Sequence, residues 1–360
     1  MELNINERLR LIKEVGEEIL IEEELIERLK EKEVLTAYDG FEPSGKIHIA
    51  QGLFRAINVN KLTKAGIHFK FFVADWHAMV NNKMGGDLEK IQTVGKYFIE
   101  VWKACGMDMK NVEFIWASDI VRDSNYWMMV LKIGSINSVP RITRCSQIMG
   151  RTDKDSLNVS QIIYPCMQAA DIFTLNVDIA QLGMDQRKVN VLAREIAEKL
   201  GKRKPIAIHH HMMMGLTDPK DRIKDGVDEV LAKKMSKSIP DSAIYMADSK
   251  EEVERKLKKA YCPEGIVQDN PVLEYCKYII FEKIDEFVVK RPEKFGGDVT
   301  YKSYEDLEKD FVDKKLHPMD LKGTATEYIN GFLEPVREYF KNNKEARELL
   351  AKVESFQVTR

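Results

Sequence analysis

The sequence predicts a doubly wound α/β protein on a parallel sheet, followed by a smaller helical domain. Three observations point that way. From about residue 34 to 245, short apolar runs closed by turn residues alternate with amphipathic stretches. Phe69 to Asp75, FKFFVAD, is a continuous apolar run ending in a carboxylate, the mark of a strand buried on both faces. Beyond about residue 246 only helical periodicity remains, punctuated by Cys262-Pro263, Arg291-Pro292 and His317-Pro318. The expected divisions are N-terminal helices over 1–33, the α/β domain over 34–245 and the helical domain over 246–360.

Composition bounds the function. The chain has 360 residues, 44% apolar and 32% charged, enough for a large core. It contains no run of about 18 apolar residues, so no membrane span is expected. The N-terminus alternates charge and lacks an apolar signal region, so the cytoplasm is the expected compartment. Five scattered cysteines, with no C-x-x-C pair, read as reduced core residues. The balance of 56 basic and 58 acidic residues does not announce a nucleic-acid binder. Any RNA contact must rest on local patches at 201–205, 256–259 or 290–294, which read equally as solvated helix ends or loops.

Two short helices are expected first, one with a stripe of Leu9, Ile12, Val15 and Ile19, the other with Leu25, Ile26 and Leu29. A strand ending near Tyr38 follows. Tyr38 to Gly52, YDGFEPSGKIHIAQG, then crowds Gly40, Pro43, Ser44 and Gly45 into a turn before a helix to about Ala65. His48 falls near the first turn of that helix, where free N–H groups and the helix dipole favour a phosphate. By itself this pattern is also an ordinary strand–helix connection. After the 69–75 strand, a helix runs from Asp87 to Cys105, and Val112 to Ala117 forms the next strand. Tyr38 and Asp75 are expected at carboxyl ends of strands, where such sheets bind ligands.

Residues 119–151 read as helical, with Trp127, Met128, Val130 and Leu131 forming a large apolar face. In Ser160 to Asp171, SQIIYPCMQAAD, the polar Tyr164, Gln168 and Asp171 share one helical face among apolar neighbours. Pro165 suggests that the helix begins there, with Tyr164 near its cap. Such a stripe is either an internal hydrogen-bond network or a polar-ligand pocket, since buried unpaired groups cost about 1–3 kcal/mol each. Val177 to Leu182 is a strand closed by Gly183, and a helix to Leu200 follows. Gln186 stands at this strand's carboxyl end. His209 to His211 lack ligand-spaced Cys, Asp or Glu in sequence, so no metal site is expected. Asp248 to Tyr261 is a capped amphipathic helix. Phe295 beside Gly296 and Gly297 is either a core anchor or a platform for an unpaired base.

His48-Ile49-Ala50-Gln51 and, far downstream, Lys234-Met235-Ser236-Lys237-Ser238 resemble the paired HIGH and KMSKS signatures of class I aminoacyl-tRNA synthetases. The match narrows with YDGFEPSGKIH, YPCMQAADI, GMDQRK, KRPEKFGGD and LHPMDLK in order. Together they resemble tyrosyl-tRNA synthetases of the archaeal and eukaryotic type, from about residue 30 to near the end. The resemblance implies a Rossmann-like catalytic domain, a C-terminal helical anticodon-binding domain and a homodimer joined through residues 119–151. It implies activation of L-tyrosine by ATP with Mg2+, then transfer to tRNA(Tyr).

By the same resemblance, Tyr38 and Asp171 bind the substrate phenol hydroxyl, and Tyr164, Gln168 and Gln186 hold the α-ammonium. Because those three are neutral, orientation rather than a salt bridge is expected there. Gly45, His48, Ser236, Lys237 and Ser238 bind ATP, with His48, Gln51, Lys234 and Lys237 catalytic. Arg144, Arg187 and Lys188 lie near the tRNA acceptor end. Phe295 stacks on the first anticodon base, with His317 and Asp320 hydrogen-bonding it. The chain departs from the pattern at Ala50 and Gln51, and its 217–233 loop is longer than the resemblance implies. The rival readings are a tryptophanyl-tRNA synthetase, a small-molecule nucleotidylyltransferase and a non-enzymatic RNA-binding paralogue.

Overall fold

The computed structural model describes residues 3–150, 156–221, 235 and 239–356. Its central sheet has six strands: β1 (Glu18–Leu20), β2 (Leu35–Phe41), β3 (Ile67–Val73), β4 (Val112–Trp116), β5 (Ile179–Gly183) and β6 (Ile206–His210). Their spatial order is β1-β6-β5-β2-β3-β4, and every pairing is parallel except β1 with β6. The helices around it are α1 (Ile5–Val15), α2 (Glu22–Glu31), α3 (Arg55–Lys64), α4 (Asp75–Val80), α5 (Leu88–Ala104), α6 (Ala117–Ile120), α7 (Ser124–Ser135), α8 (Val139–Thr143), α9 (Val159–Thr174) and α10 (Arg187–Ile196).

The strand alternation sorts side chains into two cores. Ala37, Phe69, Phe71 and Ile179 face one way, toward α1, α3 and α5. Tyr38, Phe72, Ala180 and Leu182 face the other, with buried residues of α7, α9 and α10. The helices after residue 250 extend the first core. Phe340 lies 5.7 Å from the Tyr97 ring on α5, and Tyr339 donates a 2.6 Å hydrogen bond to Glu100.

Several expectations need correcting. Ile19 lies in β1, not on a helical stripe, because α1 ends at Gly16 and the next residues pair with β6. β2 runs on through Gly40 to Phe41, in register with β3 to Val73, so Tyr38 is mid-strand and Gly40 is outside the turn. Asp75 lies just beyond β3, in the first turn of α4. α9 begins at Val159, six residues before Pro165, because Asn158 and Gln161 form a reciprocal capping box. Pro165 is therefore internal and Tyr164 fully helical. The last amphipathic helix before residue 261 is Lys250–Lys259, capped by Ser249. Asp248 instead accepts from Lys256 at 2.6 Å. The region after 246 is not helices only: Phe287–Val289 pairs antiparallel with Val299–Tyr301.

Candidate active site

β2 and β5 are neighbours from which the chain runs outward in opposite directions, which opens a crevice at their carboxyl ends. Tyr38 sits opposite Ala180 across this junction. The turn after β2 passes through Gly45 at φ +106°, a conformation that side chains rarely adopt. It ends at His48, which bridges to Tyr245, and the His48 carbonyl accepts from the N–H groups of Gln51 and Gly52 at 2.9 Å. A Cβ on Gly52 would lie 2.6 Å from Met246, so glycine is required for this close approach. His48 thus stands immediately before the helical segment Ala50–Phe54, as the sequence suggests. The Gln51 carbonyl accepts from Trp102 at 2.8 Å, and its side-chain oxygen has no hydrogen bond among the described residues.

The tyrosine-site candidates converge. Tyr164, Gln168 and Asp171 are all buried on one face of α9. Gln168 donates to Gln186 at 3.1 Å, and Gln186 donates to the Ile148 carbonyl at 3.0 Å. Asp171 Oδ1 accepts from Tyr126 at 3.0 Å, and Oδ2 lies 3.0 Å from His77 Nε2. The Tyr38 hydroxyl is buried and makes no hydrogen bond of good geometry among the described residues, with the Gln168 side chain its near polar neighbour. Burial, then the Asp171 charge, holds its pKa well above the usual phenol range, so it remains a donor. Burial lowers the His77 pKa, but the carboxylates of Asp171, Glu42 and Asp75 together outweigh it and the net direction is upward.

Sequence reasoning missed three residues here. His77 and Tyr126 flank Asp171, and Glu42 accepts from Tyr164 at 2.7 Å. Asn81 also donates to both Glu42 oxygens at 3.0 Å. The surroundings of Tyr164, Gln168 and Gln186 are thus not all neutral, because a carboxylate backs Tyr164. One sequence signal was present for His77: it lies two residues past the carboxylate that closes the FKFFVAD run. Glu42 and Tyr126 gave none, because their partners are far away in sequence.

The opposite face carries a different polar cluster. Arg55 Nε lies 2.9 Å from Asp39 Oδ2, both buried, and Arg55 also bonds the Gln181 side chain. The guanidinium lies 5.1 and 5.8 Å from the ring centres of Phe69 and Phe71. Burial pushes the Asp39 carboxyl up to about 7 despite Arg55. The three histidines occupy separate environments. His209 contacts Glu18 at 2.8 Å, His210 contacts Gln181 at 3.0 Å, and His211 lies between Glu17 and Glu274 at 3.2 and 3.3 Å. Burial lowers the His211 pKa, but its two carboxylate neighbours raise it overall to about 9.

Lys234, Ser236, Lys237 and Ser238 lie outside the described residues, as do 222–233 of the long loop. Met235 is buried, 4.0 Å from the Tyr275 hydroxyl. Of the basic candidates, Arg144 is exposed. Arg187 donates to both Glu18 oxygens at 2.8 and 3.0 Å, and Lys188 to the Gln147 side chain. Lys256 is buried against Asp248, which removes it from any surface patch. Phe295 is 62% exposed, so it is no core anchor. Arg291 donates to the Gly297 and Lys315 carbonyls at 2.8 and 2.9 Å, which ties the Phe295 turn to the chain leading into His317. His317 caps the helix Pro318–Asn342, and Asp320 lies in its first turn.

Comparison with known proteins agrees with this geometry. The family described as tRNA synthetases class I (W and Y) matches residues 30–334. The chain is similar to the cytoplasmic tyrosine–tRNA ligase 1 of Arabidopsis thaliana, 50% identical over all of this chain and 91% of that one. It is similar in structure to tyrosyl-tRNA synthetase from Pyrococcus horikoshii, solved with L-tyrosine, at 42% identity and TM-score 0.90. That match covers 97% of this chain and 100% of that one. A Leishmania major tyrosyl-tRNA synthetase with tyrosinol matches at 45% identity and TM-score 0.89, over 99% of this chain. The chain spans 61% of that longer protein.

Proposed function

The chain belongs to the class I tRNA synthetases of the tryptophan and tyrosine family, and from that premise we propose that it ligates L-tyrosine to tRNA(Tyr). The observation that carries the reading is the pair at the centre of the sheet: the buried Tyr38 hydroxyl, which makes no hydrogen bond of good geometry, and the buried Asp171 carboxylate whose charge it feels. A phenol bound there would donate to Asp171 and accept from Tyr38. Phenylalanine would leave both groups unpaired, and tyrosyl-tRNA synthetases are the standard instance of that means of rejection. The indole of tryptophan offers a donor but no oxygen to accept from Tyr38, which favours tyrosine. Tyr164, Gln168 and Gln186 would orient the α-ammonium, and Glu42 behind Tyr164 would add negative charge.

In the first step, a carboxylate oxygen of tyrosine attacks the α-phosphorus of ATP and pyrophosphate leaves. A terminal ribose hydroxyl of the tRNA then attacks the tyrosyl carbonyl, and AMP leaves. The attacking carboxylate is already ionised, so the first step needs positioning and charge stabilisation rather than a strong base. Gly45 and His48 would hold the phosphates, and Gln51, an amide, could donate but carry no charge. Lys234, Ser236, Lys237 and Ser238 would close over the pyrophosphate. Among the described residues no cluster of three or more His, Cys, Asp or Glu is placed to hold an ion. Mg2+ carried on the nucleotide's phosphates needs few protein ligands, which fits that donor set.

Arg144, Arg187 and Lys188 would meet the acceptor end, and Phe295, His317 and Asp320 the anticodon. Met128 and Leu131 are 55% and 68% exposed in one copy of the chain, which supports a homodimer through this apolar face. No helix among the described residues is long and apolar enough to cross a membrane, and the name of the Arabidopsis relative supports a cytoplasmic setting.

Pyrophosphate exchange with ATP, run with tyrosine, tryptophan and phenylalanine, tests the reading. Exchange is expected with tyrosine alone and should fall roughly a hundredfold or more in Asp171→Ala. Exchange driven by tryptophan would move the substrate assignment. Silence with all three, in folded protein that binds tRNA, would leave an RNA-binding paralogue.

A further inference from the structure

We propose that His77 is a positioning residue for tyrosine selection, supplying the counter-charge and the orientation that keep Asp171 ready to accept the substrate hydroxyl. The inference rests on the tyrosine reading above and adds a residue to it.

The geometry around Asp171 is divided between its two oxygens. Tyr126 donates to Oδ1 and His77 Nε2 approaches Oδ2, each at 3.0 Å. A carboxylate oxygen has two lone pairs, so each oxygen keeps one for a ligand. The Tyr126 hydrogen bond and the His77 ion-pair contact together restrain the carboxylate and the direction of its remaining acceptor sites. His77 is fixed in turn. Its ring stands edge-on to Phe72 and Tyr164 at 5.6 and 5.2 Å, on the short helix α4 that follows β3. An apolar side chain would fill that slot between two rings equally well. The imidazole is instead buried with Nε2 3.0 Å from a carboxylate oxygen, and neither ring nitrogen makes a hydrogen bond of good geometry among the described residues.

The charges around His77 are one-sided. Asp171 and Tyr164 face it from α9, Glu42 from the turn after β2, and Asp75 from its own helix. Tyr126 and Tyr38 reach the same carboxylate from α7 and β2. The nearby cation, Lys83, lies 3.8 Å from Glu42. Burial disfavours the imidazolium and these carboxylates favour it, with the net direction upward. A cationic His77 compensates a carboxylate that would otherwise stand buried and alone. Because the phenol end of tyrosine is not the reacting end, losing this support should weaken binding more than turnover.

The test is pyrophosphate exchange by the full chain from pH 6 to 9, with tyrosine and with phenylalanine, in wild type, His77→Gln and His77→Phe. Glutamine keeps a donor without charge; phenylalanine keeps only the ring. His77→Gln should raise KM for tyrosine on the order of tenfold while kcat stays within about twofold, and the tyrosine-over-phenylalanine ratio should fall by the same factor. His77→Phe should do more. In wild type KM should be flat while the imidazole is protonated and rise as pH passes its raised pKa; in both variants that rise should vanish. Variants that lower kcat and thermal midpoint yet leave KM, the ratio and the pH profile unchanged would overturn the proposal. If His77→Phe fails to fold, His77→Gln alone decides. Wild-type protein without tyrosine-dependent exchange would overturn the tyrosine reading itself, a separate result.

Discussion

Tyr38 and Asp39 are neighbours on one strand, yet they belong to opposite faces of the sheet and to two different buried ion pairs. On one face Asp39 lies 2.9 Å from Arg55; on the other Tyr38 adjoins Asp171, which lies 3.0 Å from His77. The first pair uses a cation that never loses its proton, seated on two phenylalanine rings and bonded to Gln181. The second uses an imidazole whose charge depends on pH. Both pairs keep buried atoms without a hydrogen bond among the described residues: Asp39 Oδ2 and Arg55 Nε and Nη1 in the first, the Tyr38 hydroxyl and both His77 ring nitrogens in the second. Neither a buried charge pair nor an unsatisfied atom is therefore a sign of function by itself; the second pair differs in the polar Tyr164, Gln168 and Gln186 gathered beside it.

The comparison can be broken most severely at Arg55. Arg55→Met strands a buried carboxylate and should cost about 3–5 kcal/mol in urea denaturation. KM for tyrosine in the remaining folded protein should stay within about twofold of wild type, since the two pairs lie on different faces. A tenfold rise in KM would mean that the faces are coupled.

A smaller effect separates the pairs by pH. The Asp39 pKa is raised, from 3.8 to about 7. Through that window the folded chain keeps a proton that the unfolded chain has released, so stability falls as pH rises and levels off above it. The slope is at most that of one proton, about 1.4 kcal/mol per pH unit. Asp39→Asn should remove it. His77 also has a raised pKa, above its ordinary 6.5. Its contribution is therefore complete below 6.5 and is lost as pH rises through the folded value. Denaturation curves across pH should thus show Asp39→Asn acting on the acid side and His77→Gln on the alkaline side.

The smallest effect on stability is expected at Tyr38. Removing a buried hydroxyl that makes no hydrogen bond of good geometry should change stability by less than about 1 kcal/mol in Tyr38→Phe. The same substitution should raise KM for tyrosine roughly tenfold. A large loss of stability instead would show that the hydroxyl has a structural partner.

Sequence reasoning reached the pattern within single elements. It placed Tyr164, Gln168 and Asp171 on one helical face, identified β3 as a buried strand and β4 as a strand, and put His48 at a helix entrance. Where it failed, local signals competed. Pro165 outweighed the capping box at Asn158 and Gln161, and helical spacing carried Ile19 past the break at Gly16. β1 and the strands of the 287–301 hairpin were missed, because three residues are too few to establish a period, and in β6 the histidines cut short the apolar run.

By itself, then, the sequence determined the fold class, the order of most elements and which polar residues share a face, because periodicity is a property of one segment. It also carried the two motif stretches and thus the family resemblance. Only the tertiary structure decided which faces meet. It brought His77 and Tyr126 to Asp171, Glu42 to Tyr164, and Arg55 to Asp39, and it turned one of two adjacent strand residues toward Asp171 and the other toward Arg55. The physical reason is that pairing between distant residues depends on packing several elements at once. No local pattern encodes which partner a buried charge will find.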